Sequence, residues 1–225
     1  IAPSLVGSEM CIRDRPKRLT FLETEGWAKC DDTTRAAFTS YLEQLRDIGV
    51  DIVTRNDSKL ANDFEVKISD AVRLCREICS FELRWILRQY RETEKLSDEL
   101  TIWVEMAEKL TLEDYRMALA TRAHMRQALA EVAPTTDAFI TLASVGPAPD
   151  IDFHADSGEA EYAFLTGDPA FNAATSALGA PAITLPKIAV NGMPLCVQVI
   201  GEPNPDWEIT NLAIWLDTQV ASLYI

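Results

Sequence analysis

Glycine is scarce, with nine residues in 225 and no two adjacent. The sequence therefore holds no Gly/Ser-rich loop. Histidine is rarer still, at His124 and His154 alone, and this argues against a histidine-rich metal site. No apolar run approaches the roughly 20 residues a bilayer span needs. The first residues carry no apolar core of about 7–15 residues behind a basic start, so they do not read as a secretory leader. Positive charge is in deficit: 21 Lys and Arg against 35 Asp and Glu leave a net charge of −14. Such a surface repels phosphate backbones, so nucleic acid is not an expected partner, and neither is a membrane. Five cysteines in no regular framework predict reduced thiols and a cytoplasmic setting.

What remains is an ordinary globular composition, 48% hydrophobic and 25% charged. Residues 18–23 read as a strand. The stretch 31–49 reads as a helix capped by Asp31 or Asp32, with Ala37, Phe38, Tyr41, Leu42, Leu45 and Ile48 on one face and Gly49 at its left-handed end. Residues 50–54 read as a second strand. This β-α-β unit predicts an α/β class with parallel strands.

Further along, Phe64, Ile68, Val72, Cys75, Cys79, Ile86 and Tyr90 recur at helical spacing, and Leu100, Trp103, Val104 and Ala107 suggest another helix. Trp85 and Trp103 are expected in helix cores. Thr111 and Asp114 form a capping box for a helix that places Tyr115, Ala118, Leu119, Met125 and Leu129 on one side and ends at Pro134. Residues 137–143 read as a buried strand and 145–162 as a Pro/Gly/Asp-rich loop. Thr166 or Asp168 is expected to cap a short helix from Pro169 to Gly179. Asn191-Gly192 is the strongest hairpin signal. Asp206 is expected to cap a last helix with Trp207, Leu212, Ala213, Leu216 and Val220 inward. Cys196 is expected to be buried. Cys75 with Cys79, and His154 with Asp150, Asp152 and Asp156, read as packing and as a solvated acidic loop rather than metal sites. Glu105, Glu108 and Glu113 read as a solvated face.

The run TGDPAFNAATSALGAPAITLP (166–186), followed by NGMPLCVQVIG (191–201), resembles the carboxy-terminal signature region of the amidase signature family. The upstream LTLEDYRMALATRAHMRQALAEVAPTTDAFITLASVGPAP (110–149) is similar to that family too. The resemblance runs from about Arg18 to the end. It implies a mixed, mainly parallel sheet covered by helices, and hydrolysis of a small-molecule amide without a cofactor. It also implies a nucleophilic serine activated by a second serine in a cis peptide and by a lysine. Such a relay makes chemical sense, because a free serine hydroxyl is a weak nucleophile and a desolvated lysine can act as its base. From the resemblance, Asp168, Phe171, Asn172 and Thr175 are expected to line the substrate pocket, and Gly179, Pro181, Gln198 and Gly201 to play structural roles, with the Gln198 amide satisfying buried backbone groups.

The family's Gly/Ser-rich serine loop has no counterpart here. There is no Ser-Ser pair, and Lys187 is expected to face water after a strand-ending proline. No residue is therefore assigned a catalytic role, and residues 16–225 read as the carboxy-terminal part of a single amidase domain. Residues 1–15, including VGSEMCIRDR, read as an adapter-derived, non-native segment, with a natural amino-terminal arm as the alternative. A non-catalytic binding module and an amidotransferase subunit remnant remain competing functions. Cutting a single core strands apolar surface, so a marginal or aggregating fragment is expected, and a homo-oligomer is left open.

Overall fold

The β-α-β unit forms where the sequence pattern puts it. In the computed structural model, which describes residues 15–93, 96, 98–148, 167–203 and 206–220, strand β1 (Arg18–Phe21) leads to a one-turn helix α1 (Gly26–Lys29) and to α2 (Asp32–Asp47). The Asp31 side chain accepts the Thr34 N–H at 2.6 Å and caps α2, and Gly49 follows it at φ +88°. Strand β2 (Asp51–Val53) then pairs parallel to β1.

Four helices follow: α3 (Lys59–Ile68), α4 (Ala71–Glu92), α5 (Asp98–Lys109) and α6 (Leu112–Val132). The capping box of Thr111 and Asp114 opens α6. A 3₁₀ turn at Ala133–Thr135, where Pro134 cannot continue the helix, precedes the fully buried β3 (Ala138–Leu142). Helix α7 (Asn172–Leu178), β4 (Ala182–Val190), β5 (Met193–Ile200) and α8 (Asp206–Gln219) complete the described elements. Asn191 and Gly192, at φ +52° and +77°, make the β4–β5 hairpin turn.

The sheet is mixed, in the order β2-β1-β3-β5-β4. β1 pairs parallel to β2 and β3, whereas β5 pairs antiparallel to β3 and β4. Each face is covered. Leu19, Ile140, Val197 and Val199 meet Phe38 and Tyr41 of α2 and Leu212 and Leu216 of α8. On the opposite face Phe139 and Ile200 meet Phe64, Leu74, Met125 and Ala174 from α3, α4, α6 and α7. This is the mixed α/β architecture that the resemblance implies.

Several local expectations change. The apolar pattern read as continuous from Phe64 to Tyr90 is two helices, separated at Ser69 and Asp70. Helix α4 carries two apolar stripes, and its neighbours bury Leu74, Ile78 and Phe81. The other stripe faces out at Cys79, Ile86 and Tyr90, and Trp85, one turn past Phe81 on the inward stripe, is 63% exposed. Trp103 is half-buried and Ile48 lies exposed beyond the last buried turn of α2. In α8 the inward aromatic is Trp215, while Trp207 in the first turn is exposed.

The largest reversal is Lys187. β4 continues through Pro186, so Lys187 shares the face of Ile183 and Leu185, which packs against α2 and α8, and the register shift between Pro186 and Ile188 then brings Ile188 and Val190 to that same face. Lys187 is 2% exposed; its ammonium donates to the Asp217 and Val220 carbonyls at 2.8 and 3.1 Å and pairs with the Asp217 carboxylate at 2.8 Å. It closes the carboxyl end of α8, where helix carbonyls lack intrahelical partners.

Candidate active site

From β1 the chain crosses one face of the sheet through α2 to β2. From β2 it crosses the other face through α3–α6 and returns on the far side of β1 as β3. Connections therefore leave the carboxyl ends of β1 and β3 in opposite senses. In open α/β sheets such a switch point leaves a crevice that takes ligands.

Residues around that edge are tied together over long sequence distances. Thr141, fully buried on β3, donates to the Leu22 carbonyl at 2.7 Å. Just past β3, the Ala143 carbonyl accepts from the Asn172 amide at 2.9 Å. The Asn172 oxygen accepts from the Gln198 amide at 2.6 Å, and the Gln198 oxygen accepts from the Thr175 hydroxyl at 2.7 Å. The reason is local. Asn172 and Thr175 stand one turn apart on α7, and Gln198 is on the face of β5 that α7 covers. Three of the residues singled out in the sequence thus form one hydrogen-bonded group. Gln198 is 4% exposed and serves side chains, not the backbone groups expected of it. Asn172 is exposed and keeps one amide N–H beyond its bond to Ala143.

Asp168 and Phe171 serve differently. Helix α7 begins at Asn172, not Pro169, and has no side-chain cap. The Asp168 carboxylate instead accepts the Ala170 N–H at 2.9 Å, shaping the turn before it, and pairs with Lys29 of α1 at 2.8 Å. Phe171 is wholly buried, its ring against Gly26. It anchors this turn in the core and presents no surface to a ligand. Gly179 ends α7 at φ +64°, and Arg126 donates to the adjacent Leu178 carbonyl at 3.0 Å. Gly201 donates to the Pro181 carbonyl at 2.9 Å, in a gap between Pro181 and Ile209 that leaves little room for a side chain.

Two contributors to this edge were not singled out in the sequence. Thr24 holds φ +50°, a conformation unfavourable for a β-branched residue. Its hydroxyl donates to the Ala170 carbonyl at 3.0 Å and accepts the Gly26 N–H at 3.1 Å. Nothing in the local sequence announces that geometry. Glu65, 3% exposed on α3, accepts the Glu23 N–H at 2.5 Å and the Thr24 N–H at 3.1 Å. Burial pushes its carboxyl up to about 7, against the lowering effect of those two N–H donors and Arg55. Its signal was available: a carboxylate in the stripe of Ala61, Phe64 and Ile68.

No activated nucleophile is assembled from the described residues. Ser144 donates to the Gly146 carbonyl, and Lys29 is engaged by Asp168. Burial raises the Cys30 and Cys75 thiols to about 11, far from the thiolate form. Cys196, expected to be buried, is half-buried. Among the described residues no three His, Cys, Asp or Glu side chains gather as metal ligands. His154, Asp150, Asp152, Asp156 and Thr166 lie outside the described residues. A cavity of about 240 Å³ lies at the opposite edge, lined by Pro134, Asp137, Gly201, Glu202 and Glu208, and of the residues singled out it meets Gly201 alone.

Solved structures that share this fold include an amidase, a hydrolase and an amidotransferase subunit. A crystal structure of an amidase matches with a TM-score of 0.74 at 21% identity, over 91% of this chain and 46% of that one. Kluyveromyces lactis allophanate hydrolase matches at 0.67 and 17%, over 89% of this chain and 32% of that one. A glutamyl-tRNA(Gln) amidotransferase subunit from Thermotoga maritima matches at 0.59 and 20%, over 91% and 42%. This chain thus spans less than half the length of each. Comparison with curated proteins returns no match. The Amidase family model matches residues 4–209, nearly the whole sequence. The chain belongs to the amidase family.

Proposed function

We propose that this chain is the carboxy-terminal part of an amide hydrolase and supplies one wall of its substrate pocket. The observation that carries the reading is the Asn172–Gln198–Thr175 group, fixed at the carboxyl edge of the sheet by the bond to Ala143. Asn172 and Thr175 are the wall residues in this reading. Asp168 and Phe171 set the turn that carries them, through Lys29 and Gly26. An amide substrate offers a carbonyl acceptor and, when primary or secondary, N–H donors, which suits a wall of carboxamide and hydroxyl groups.

The nucleophilic serine, the cis serine and the lysine base then come from sequence outside these 225 residues. The lysines nearest the relevant elements support this, because Lys29 and Lys187 are each held by other partners. Residues 1–15 are, in this reading, an adapter-derived segment joined to the amidase sequence. The family match that starts at residue 4 keeps the natural arm as the competing account. Localisation in the cytoplasm belongs to the same proposal, and the four described cysteines, all free, support it.

The test is turnover of simple aryl and alkyl amides by this polypeptide alone, and after co-expression with the segment its gene encodes upstream. The chain alone is expected to be silent and the pair active. Turnover by the chain alone would refute the division of labour. A silent pair, with no Gly/Ser-rich serine loop and preceding lysine upstream, would favour a binding module or amidotransferase subunit.

A further inference from the structure

The turn that carries the proposed pocket wall is held from below by a buried carboxylate. Residues 23–29 and 167–171 dock through three contacts. These are the Thr24 hydroxyl on the Ala170 carbonyl, the Phe171 ring on Gly26, and Lys29 on Asp168. The first depends on the backbone of Thr24, which sits at φ +50° where a β-branched residue is strained. Such a conformation persists only where surrounding groups over-determine it. Here the two oxygens of Glu65 take the N–H groups of Glu23 and Thr24.

We propose that Glu65 is a positioning residue for the pocket wall: by clamping the Glu23–Thr24 backbone it holds the Thr24–Ala170 contact and so sets the entry of α7. The role as a pocket wall rests on the function proposed above; the mechanical coupling does not. The clamp geometry requires the ionised form, because each oxygen accepts one N–H. A neutral carboxyl places a hydrogen on one of them and weakens that bond. The charged groups around Glu65 are few. Glu23 precedes the clamped turn and pairs with Arg55 at 3.7 Å; both act on Glu65, in opposite directions. Glu25 is turned to the Val72 N–H, and Glu131 of α6 faces Lys67 of α3 at 3.9 Å. Protonation near neutral pH therefore falls on a carboxylate with one weak cationic neighbour, and it loosens the turn.

The experiment is amide hydrogen exchange of the full chain, read by mass spectrometry at pH 5.5 and pH 8 and corrected for the intrinsic rate. In the wild type, exchange in residues 167–178 is expected to be about tenfold faster at pH 5.5, as for loss of one charge-assisted hydrogen bond. Peptides from β3 and β5 are expected not to change. Glu65→Gln, which can accept only one of the two N–H groups, is expected to show the faster exchange at both pH values. Burial favours the neutral form of Glu65, so its contribution to global stability rises on acidification. A local loosening of residues 167–178 against that trend is not what general destabilisation produces. Equal protection of residues 167–178 at the two pH values in the wild type overturns the proposal, and so does wild-type protection in a folded Glu65→Gln. If Glu65→Gln does not fold, the wild-type comparison decides alone. Exchange reads the coupling without any amide turnover, so its outcome is separate from that of the hydrolysis test.

Discussion

Replacing Lys187 with methionine tests whether a buried ammonium closes the carboxyl end of α8. Methionine keeps the length and apolar stem, so packing changes little. Three interactions are lost: two to backbone carbonyls, of Asp217 and Val220, and one to the Asp217 carboxylate. Exchanging a buried ion pair for apolar groups is often neutral, because the desolvation cost vanishes with the charges. That escape is closed for Lys187, since the carbonyls cannot be removed with the lysine. Each carbonyl left without a partner costs about 1–3 kcal/mol, and water reaches the exposed end of the helix in part. The Asp217 side chain is 62% exposed, so its pairing adds little after solvent screening. The net expectation is a loss of about 2–4 kcal/mol for Lys187→Met and less than about 1 kcal/mol for Asp217→Asn. Urea unfolding followed by circular dichroism measures both, with the midpoint expected to fall by about 1 M for Lys187→Met at a slope of about 2–3 kcal/mol/M. An unchanged or higher midpoint for Lys187→Met would show that desolvation outweighs the cap, and Lys187 would then have no part in stabilising the end of α8.

Two further outcomes concern the docked turns around Thr24 and Phe171. Gly26→Ala places a methyl group about 2.5 Å from ring carbons of the wholly buried Phe171, so it is expected to cost about 1–3 kcal/mol, read as a lower thermal midpoint. An unaltered midpoint would mean the two turns do not dock so closely. Glu65 has a carboxyl raised from 4.5 to about 7, so its contribution is fully present below about pH 4.5 and is lost as pH rises through 7. The loss is about 3 kcal/mol, and it is read as the change with pH in the stability difference between wild type and Glu65→Gln. Asp31, Asp57, Glu108 and Asp114, whose carboxyls are lowered by hydrogen bonds, oppose it in acid, so the difference and not the raw curve carries the test. A flat difference from pH 5 to 8 would mean that burial does not raise the Glu65 carboxyl.

Much of the fold could be read one residue after another, because it depends on local chemistry. A helix cap, a capping box and an Asn-Gly turn each need only a few neighbouring residues, and Asp31, Thr111 with Asp114, and Asn191-Gly192 all act as read. Identification of Asn172, Thr175 and Gln198 rested on their resemblance to a family pattern, and the structure brings all three into one hydrogen-bonded group. Their bonding partners were not legible, since Asn172 and Gln198 lie 26 residues apart and Ala143 is 29 residues from Asn172.

The parts that escaped are those where two local solutions are equally good. Helix α4 carries apolar residues on two stripes, and only its packing against α5, α6 and α7 decides that Ile78 is buried while Ile86 and Tyr90 are not. A one-residue irregularity in β4 inverts the facing of the side chains after it and buries Ile188 and Val190, while Lys187, on the face of Ile183 and Leu185, is interior because the end of α8 packs over it. Thr24 adopts its left-handed backbone because Glu65 and Ala170, 41 and 146 residues away, hold it there. The amino-acid sequence by itself determined the α/β class, the caps and turns, and the family. The tertiary structure decided which stripe, which lysine and which carboxylate are buried, because burial is a property of the neighbours a residue meets and not of the residue alone.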